Sequence, residues 1–299
     1  MSKIVTVFCA GLIGWDSIGR TKKIFEEGDD LPGSIETRIG GVIANIAIAL
    51  SKNFHETLNF EIVILSSTGK DERSDELISL LSETKKVNCD YVIRNPGSTD
   101  SYLAIESKNG LFGAIAASCQ LEKSCLEILR PLLNTDLIKK LSTNYFIVDT
   151  NLTTQTIDYL TINSAFDKTQ FIIACASPFK AKKIRVLMIK RHCIIYANLA
   201  EAAEILETKP TCSSEAAELL FSLGAKQAIV TNGQHKVSIR TKVGLATYTP
   251  TKTETSKVTG AGDTFLAVHF LSKLTNKNLS EQEHLEIATD AAYHKINCS

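Results

Sequence analysis

The sequence lacks an apolar segment of the ~20 residues that a membrane-spanning helix needs, so we expect no membrane partner. The short apolar stretch at 4–10 is followed at once by the segment 11–16, which contains glycine, and it predicts a first strand rather than a signal peptide. An excess of charge of either sign is also absent, because the formal net charge is zero. Domains that grip a phosphate backbone are usually basic, so we do not expect nucleic acid as a partner.

The eight cysteines form no metal-binding pattern. They are scattered, without a Cys-x-x-Cys pair or a Cys/His pair at zinc-finger spacing. Several lie inside apolar segments, where buried thiols are common. This usage indicates a reducing compartment, so we predict a cytoplasmic location. With 44% hydrophobic and 22% charged residues over 299 positions, the composition is that of a folded globular chain.

Short apolar runs alternate with amphipathic stretches along most of the chain. Continuous apolar runs are typical of strands buried on both faces of a parallel sheet, and they occur at 145–149, 171–175, 193–197 and 227–231. Helical periodicity is strongest at 41–51 and 71–86. This alternation predicts a doubly wound α/β core.

Two regions interrupt the alternation. The segment 21–38 is polar, with glycine and proline turns, whereas 89–116 alternates apolar and polar residues and contains an Asn109-Gly110 hairpin turn. We predict that insertions at about 17–39 and 89–116 form extra strands of a small lid. The chain contains no repeat or linker, so a single domain spanning 1–299 is expected.

The sharpest motif is a glycine-rich turn, Gly260-Ala261-Gly262-Asp263, that leads directly into an apolar helix. The first backbone N–H groups of a helix lack partners, and together with the helix dipole they favour a bound anion. The Asp263 carboxylate would repel a phosphate, so it suits a base that takes a proton from an attacking hydroxyl. The alternative is an N-capping aspartate after an ordinary loop.

Three further motifs carry polar residues close to predicted strand ends or helix starts. Asp16 follows the first strand, where ligands of open α/β sheets bind, although an Asx-turn is the alternative. Gly40 and Gly41 allow close approach to the backbone, and Asn45 offers a donor and an acceptor. The alternative for this motif is a helix start with a buried asparagine.

Asn198-Leu199-Ala200-Glu201 comes directly after the third of the four apolar runs, 193–197. Glu201 suits Mg²⁺ held through water, because Mg²⁺ keeps much of its hydration shell. The alternative is the first turn of a helix, in which Asn198 caps the N-terminus and Glu201 interacts with the helix dipole.

Taken in chain order, the motifs resemble those of the PfkB/ribokinase family of carbohydrate and nucleoside kinases over nearly the whole chain. The matching segments are Gly11 to Asp16, Gly40 to Asn45, Asn198 to Glu201, Leu223 to Gly233 and Thr259 to Asp263. The resemblance implies a three-layer α/β ribokinase-like core with a mostly parallel central sheet and a small β-sheet lid. It also implies ATP and Mg²⁺ as cofactors, and activation by a monovalent cation such as K⁺.

The resemblance implies a role for each motif. Asp263 would be the base, and the amides of Gly260, Ala261 and Gly262 would form the anion hole. The residues implied to hold the acceptor are Asp16, Gly40, Gly41, Asn45 and Asn151. Those implied to lie beside the nucleotide are Lys180, Asn198, Thr231 and Gly233, with Glu201 at Mg²⁺ through water. For Lys180, a solvated basic helix face shared with Lys182 and Lys183 is the alternative.

Several segments resemble pseudouridine kinases in particular: 38–42, 101–105, 113–116, 148–152 and 176–184. Ala44 departs from that pattern, since pseudouridine kinases often carry arginine there. The prediction is a kinase that phosphorylates the 5′-hydroxyl of a ribose-type acceptor, with pseudouridine favoured. The alternatives are a ribokinase- or fructokinase-like sugar kinase, and a catalytically silent sugar- or nucleoside-binding protein.

Two further expectations concern binding partners. A small-molecule sugar or nucleoside is the expected partner, and a homodimer through the lid is an additional prediction. A dinucleotide-binding dehydrogenase ranks low, because the first strand is not followed by Gly-x-Gly-x-x-Gly.

Overall fold

A nine-stranded sheet organises the chain. The computed structural model describes residues 4–54, 58–134, 137, 139, 145–250 and 260–297. The large sheet has the strand order β15-β14-β13-β12-β11-β10-β1-β4-β6. The neighbouring strands from β13 to β6 are all parallel, and β14 and β15 extend one edge as antiparallel strands. The expected mostly parallel α/β core is therefore observed.

Fifteen strands are found in the described part of the chain: β1 Val5–Ala10, β2 Gly14–Arg20, β3 Ser34–Gly40, β4 Phe60–Leu65, β5 Ser67–Gly69, β6 Val87–Asn88, β7 Ile93–Asn95, β8 Ser101–Ser107, β9 Gly110–Ala117, β10 Tyr145–Asp149, β11 Gln170–Ala174, β12 Ile194–Asn198, β13 Gln227–Thr231, β14 Val237–Thr241 and β15 Gly244–Tyr248. The helices in the same residues are α1 Val42–Asn53, α2 Glu72–Glu83, α3 Cys119–Ser124, α4 Arg130–Asn134, α5 Thr154–Ile162, α6 Pro178–Ala181, α7 Arg185–Arg191, α8 Leu199–Leu206, α9 Ser213–Leu223, α10 Ala261–Thr275 and α11 Glu281–Asn297.

Helices cover both faces of the large sheet, which explains its continuous apolar strands. In β1, Phe8 belongs to the core under α3 to α9, whereas Val7 belongs to the core under α1, α2, α10 and α11. Successive side chains of a strand point to opposite faces. A strand between two helical layers therefore needs apolar residues at every position, and a three-layer architecture results.

A separate four-stranded sheet, with the order β3-β2-β8-β9, lies at one side of the core; we call it the small sheet. Its strands pair antiparallel except for β2 and β8, which are parallel. The Asn109-Gly110 turn joins β8 and β9, as the hairpin pattern predicts, and Gly110 has φ = 100°. Such a conformation favours glycine in a tight turn.

Two expectations about the small sheet need correction. Its first strand begins at Gly14 rather than at about 17, so Asp16 lies within β2 and not in a loop after β1. The segment 89–95 does not join the small sheet, because β7 pairs in parallel with β5. Alternating polarity predicts a strand with one covered face, but it does not determine which strand becomes the neighbour.

No helix in the described ranges is both long and apolar enough to cross a bilayer. The start of the glycine-rich motif, Lys257 to Thr259, lies outside the described residues, as does Cys298. Its remaining part, from Gly260 onward, is described and forms the start of α10.

Candidate active site

A cavity of about 1050 Å³ lies between the small sheet and the edge at which the parallel strands of the large sheet end. In an open α/β sheet, this carboxyl edge is the usual place for a ligand. The predicted site residues that line it are Asp16, Gly41, Asn45, Asn151, Lys180, Asn198, Glu201, Thr231, Gly233, Gly260, Ala261, Gly262 and Asp263. The fold thus brings together side chains that are up to 247 positions apart.

Gly40 is the predicted site residue that is not part of the cavity wall. It is buried at the end of β3, and a Cβ at this position would overlap the Asp16 carboxylate. Gly40 therefore leaves room for Asp16, which is a supporting role and not direct contact with the cavity.

Two helices point glycine-led N-termini at the cavity. Gly260 precedes α10 with φ = 83°, and Gly41 precedes α1 with φ = 86°. Neither helix has a side-chain hydrogen bond at its N-cap. Because the first N–H groups of a helix lack partners within it, α10 keeps donors available for a ligand, whereas in α1 the Ile43 N–H is already bonded to the Leu12 carbonyl oxygen at 3.1 Å. The two helices pack against each other, and a hydrogen bond from Asn45 to Asp263 joins their N-terminal turns.

Asp263 lies in the first turn of α10, and its position is fixed by Asn45. The Nδ2 amide of Asn45 donates to Oδ2 of Asp263 at 2.9 Å. Burial raises the pKa of Asp263 to about 7; the Asn45 bond lowers it, and the nearby Asp149, Asp16 and Glu201 raise it. A carboxylate with a pKa near neutrality can exchange a proton with a substrate at physiological pH.

Asp16 reaches the cavity from β2 of the small sheet and is only 4% exposed. Burial raises the pKa of Asp16 to about 6, while the Arg38 charge and the Gly41 N–H oppose that rise. Its neighbour across the strand pair is Tyr102, which also lines the cavity. The small sheet therefore contributes both a hydrogen-bond acceptor and an aromatic ring to one wall.

A second group of polar side chains lies at the ends of β10 and β11. Lys180 donates from Nζ to Oδ1 of Asn151 at 2.7 Å, and Asn151 donates from Nδ2 to Oδ2 of Asp149 at 3.1 Å. Burial raises the pKa of Asp149, whereas its hydrogen bonds with Leu12 and Asn151 and the Lys180 charge lower it. The Lys180 ammonium is thus held at the wall rather than directed into solvent.

Asn198 and Glu201 form a capping box at the N-terminus of α8. Asn198 Oδ1 accepts from the Glu201 N–H at 2.9 Å, and Glu201 Oε2 accepts from the Asn198 N–H at 2.8 Å. Burial raises the pKa of Glu201, and the Asn198 bond lowers it. The helix-cap interpretation is therefore observed, and a metal role for Glu201 has to use its other oxygen.

Thr231 and Gly233 lie at or just after the end of β13, the neighbour of β12 in the large sheet. Thr231 ends β13 and is the register partner of Asn198 in β12. Gly233 follows with φ = 55° in the turn before β14. Both residues therefore line the same cavity as Asp16 and Asn45.

Two features of the site were not predicted from the sequence. The fully buried Asp149 supports Asn151, and its only sequence signal is a carboxylate at the end of the apolar run 145–149. Tyr196 lines the cavity and its hydroxyl is hydrogen-bonded to Nδ1 of His269 at 2.8 Å. His269 faces the core and burial lowers its pKa to about 3, so this ring is neutral.

Comparisons with known proteins agree with this architecture. A model of the pfkB family of carbohydrate kinases matches residues 6–299. No curated protein matches the chain. Among solved structures, the Arabidopsis thaliana ribokinase complexed with ribose and ATP is 17% identical with a TM-score of 0.77, covering 98% of this chain and 93% of that one. The fold is therefore that of the ribokinases.

Two other ribokinase structures give the same result. The ribokinase from Giardia lamblia is 20% identical with a TM-score of 0.76, covering 98% of this chain and 94% of that one. The Thermotoga maritima ribokinase is 19% identical with a TM-score of 0.72, covering 98% and 93%.

Proposed function

Because the chain belongs to the pfkB family of carbohydrate kinases, we propose that it transfers the terminal phosphoryl group of ATP to a hydroxymethyl oxygen, with Asp263 as the base. One observation carries this proposal. The Asp263 carboxylate lies in the first turn of a helix whose N-terminus is open to the cavity, and Asn45 holds it there at 2.9 Å.

The chemistry follows from this placement. Asp263 accepts the proton of the acceptor hydroxyl as its oxygen bonds to phosphorus, and the bond from phosphorus to the ADP oxygen breaks. The amides of Gly260, Ala261 and Gly262 donate to the phosphoryl oxygens, whose negative charge the helix dipole stabilises. The small sheet covers the cavity and excludes water, which would otherwise compete as acceptor.

The acceptor lies between Asp16, Asn45 and Asn151 in this proposal. The wall that the small sheet adds is largely apolar, being formed by Tyr102, Leu111, Ala114 and Ala116. Apolar and aromatic surface suits the flat face of a heterocycle better than the hydroxyl groups of a free hexose. We therefore favour the 5′-hydroxyl of a nucleoside, with pseudouridine first; a ribokinase- or fructokinase-like sugar acceptor is the alternative.

The nucleotide end of the cavity supplies donors and a positive charge. Lys180, Asn198, Thr231 and Gly233 lie along it, and in the proposal they contact the phosphates and ribose of ATP. Lys180 counters the charge that accumulates on the transferring group.

The residues present fit Mg²⁺ that is carried mainly by the nucleotide. In the described part of the chain, no group of three or more His, Cys, Asp or Glu side chains is placed to hold a metal ion. Mg²⁺ usually keeps several waters and binds one or two carboxylates plus substrate phosphates. Glu201 is the carboxylate proposed to hold it through water, and the ion would neutralise phosphate charge. Activation by K⁺ and a cytoplasmic location stay predictions.

The outer face of the small sheet supports the predicted homodimer. Ile35 in β3 is 82% exposed and Ile115 in β9 is 70% exposed. Leu103 in β8, which lies between β2 and β9, is also exposed. These side chains lie on the face opposite Asp16, so a second copy could cover them without closing the cavity. Sedimentation of the Ile115→Lys variant tests this, because a charge in that interface should give monomers.

An acceptor panel tests the proposed function. The purified chain is incubated with ATP and Mg²⁺ and with ribose, fructose, adenosine or pseudouridine, and ADP formation is measured. We expect transfer to a ribose-type acceptor, fastest with pseudouridine. Calorimetry that detects acceptor binding while no ADP forms would instead support a silent binding protein, and no transfer to any acceptor would contradict the proposal.

A further inference from the structure

We propose that Asp149 is a positioning residue that fixes the Lys180 ammonium at the cavity wall by orienting the side chain of Asn151. Asp149 is completely buried and does not itself line the cavity, whereas Asn151 and Lys180 do. The inference rests on the proposed function, since it gives Lys180 a phosphoryl group to act on.

Three hydrogen bonds fix the orientation of the Asp149 carboxylate. Oδ1 accepts from the backbone N–H of Asn151 at 2.7 Å, and Oδ2 accepts from Asn151 Nδ2 at 3.1 Å and from the Leu12 N–H at 2.9 Å. All three partners donate, so they favour the ionised carboxylate against the cost of burial. A buried group satisfied in this way is rigid.

This arrangement determines which way the Asn151 amide faces. Its NH₂ group points at the Asp149 carboxylate, and its Oδ1 therefore points at the ammonium of Lys180, 2.7 Å away. The reverse orientation would place NH₂ against a cation and a carbonyl oxygen against a carboxylate. The charge of Asp149 thus selects the amide orientation that binds lysine.

The intervening amide has a functional consequence. A lysine in direct contact with a carboxylate would have its charge neutralised, whereas among the described residues Lys180 forms no salt bridge. Asn151 fixes the position of the ammonium and leaves its charge available for an anion in the cavity. Preorganised charge of this kind is what phosphoryl transfer requires.

Asp149 also joins this lysine to the acceptor end of the site. Gly11 has φ = 150°, and a Cβ there would overlap the Asp149 carboxyl group, so the chain after β1 passes directly over it. Leu12 donates to Asp149, and its carbonyl oxygen accepts from the Ile43 N–H in the first turn of α1 at 3.1 Å. One carboxylate therefore sets the relative positions of the acceptor loop and the phosphate-binding lysine.

The test is the Asp149→Asn variant, which replaces an acceptor-only carboxylate by an amide of the same shape. In either orientation its NH₂ group faces at least one N–H donor, and the charge that selects the orientation of the Asn151 amide is lost. We expect kcat to fall about 10- to 100-fold, the range usual for supporting residues of a site. In a Lys180→Met background the same substitution should have little further effect.

A chemical measurement makes the result independent of activity. Lys180 is labelled by limiting acetic anhydride and compared with the exposed Lys190 by peptide mass spectrometry. Loss of its hydrogen bond to Asn151 should raise Lys180 acetylation about tenfold in Asp149→Asn, as expected for a hydrogen bond to a charged group. Asn151→Leu, which keeps the bond between Asp149 and Leu12, should do the same if Asp149→Asn does not fold.

Asp100→Asn is the matched control. Asp100 is another buried carboxylate that accepts two backbone N–H groups, from Gln120 and Leu121 at 2.9 and 3.1 Å, and it does not line the cavity. It should leave Lys180 acetylation unchanged. Unchanged acetylation in a folded Asp149→Asn variant, or an equal loss of kcat with and without Lys180, would overturn the inference. Unchanged acetylation in Asn151→Leu would do so if Asp149→Asn does not fold. If the wild-type chain phosphorylates no acceptor, the proposed function fails while the acetylation result still tests Asp149.

Discussion

Helices α10 and α8 begin at the same edge of the large sheet, but their first turns are built differently. At α8, Asn198 and Glu201 satisfy each other's backbone N–H groups in a capping box. At α10, Gly260 contributes no side chain, and the first-turn Asp263 is bound by Asn45 of another helix. A capped terminus stabilises its own helix, whereas an uncapped one keeps its donors for a ligand.

Helix α1 resembles α10 and not α8. It also starts after a glycine with positive φ and has no side-chain hydrogen bond at its N-cap, although its first turn, unlike that of α10, has no acidic residue. All three termini contribute residues to the cavity wall, and in the proposed function the two that follow a glycine face the reacting groups while the capped one supports the wall.

The largest effect should come from Asp263→Asn. Removal of a general base costs about 10²- to 10⁴-fold in rate, so kcat should fall by at least about 100-fold, while ATP binding measured by calorimetry stays close to that of the wild type. Asp75→Asn is the matched control, because Asp75 lies in the first turn of α2, is 64% exposed and does not line the cavity. Retention of full activity in Asp263→Asn would remove it as the base.

Alanine at the two glycine-led termini should cost different amounts of stability. Both substitutions strain a backbone with positive φ, at roughly 1–2 kcal/mol each. At Gly41 the new Cβ would also lie 2.5 Å from the Leu12 carbonyl oxygen, whereas at Gly260 its nearest neighbour is Asn45 Nδ2 at 3.9 Å. Urea unfolding should therefore show a larger loss for Gly41→Ala, and equal losses would argue against this close approach.

The smallest effect should come from the capped terminus. Asn198→Ala removes the acceptor for the Glu201 N–H, and loss of an N-cap costs about 1 kcal/mol of unfolding free energy. We expect that decrease in urea titrations, together with a KM for ATP that rises less than kcat falls in Asp263→Asn. A rate loss as large as that of Asp263→Asn would place this capped terminus at the reacting centre.

The sequence predicted the large sheet well because its signals are local. Runs such as 145–149 are apolar at every position, which is typical of a strand between two helical layers. The predicted site residues also converge, since motifs at the carboxyl ends of parallel strands meet at one edge of the sheet.

The predictions from sequence failed where a strand or side chain pairs with a residue far away along the chain. Alternation at 89–95 predicted a strand of the small sheet, but β7 pairs with β5, and no local feature specifies that choice. Asp149 was missed for the same reason, because its hydrogen bond to Leu12 joins residues 137 positions apart. The role of a buried carboxylate follows from its donors, and these are brought together only by the fold.

The pH dependence of kcat/KM tests most directly whether Asp263 is the base. With its pKa raised by burial to about 7, the carboxylate becomes protonated as pH falls through about 7 and can no longer accept the hydroxyl proton. We predict that kcat/KM of the wild type, measured from about pH 5 to about pH 9, is constant above the pKa and falls about tenfold per pH unit below it. A value that stays constant down to about pH 5 would contradict this account.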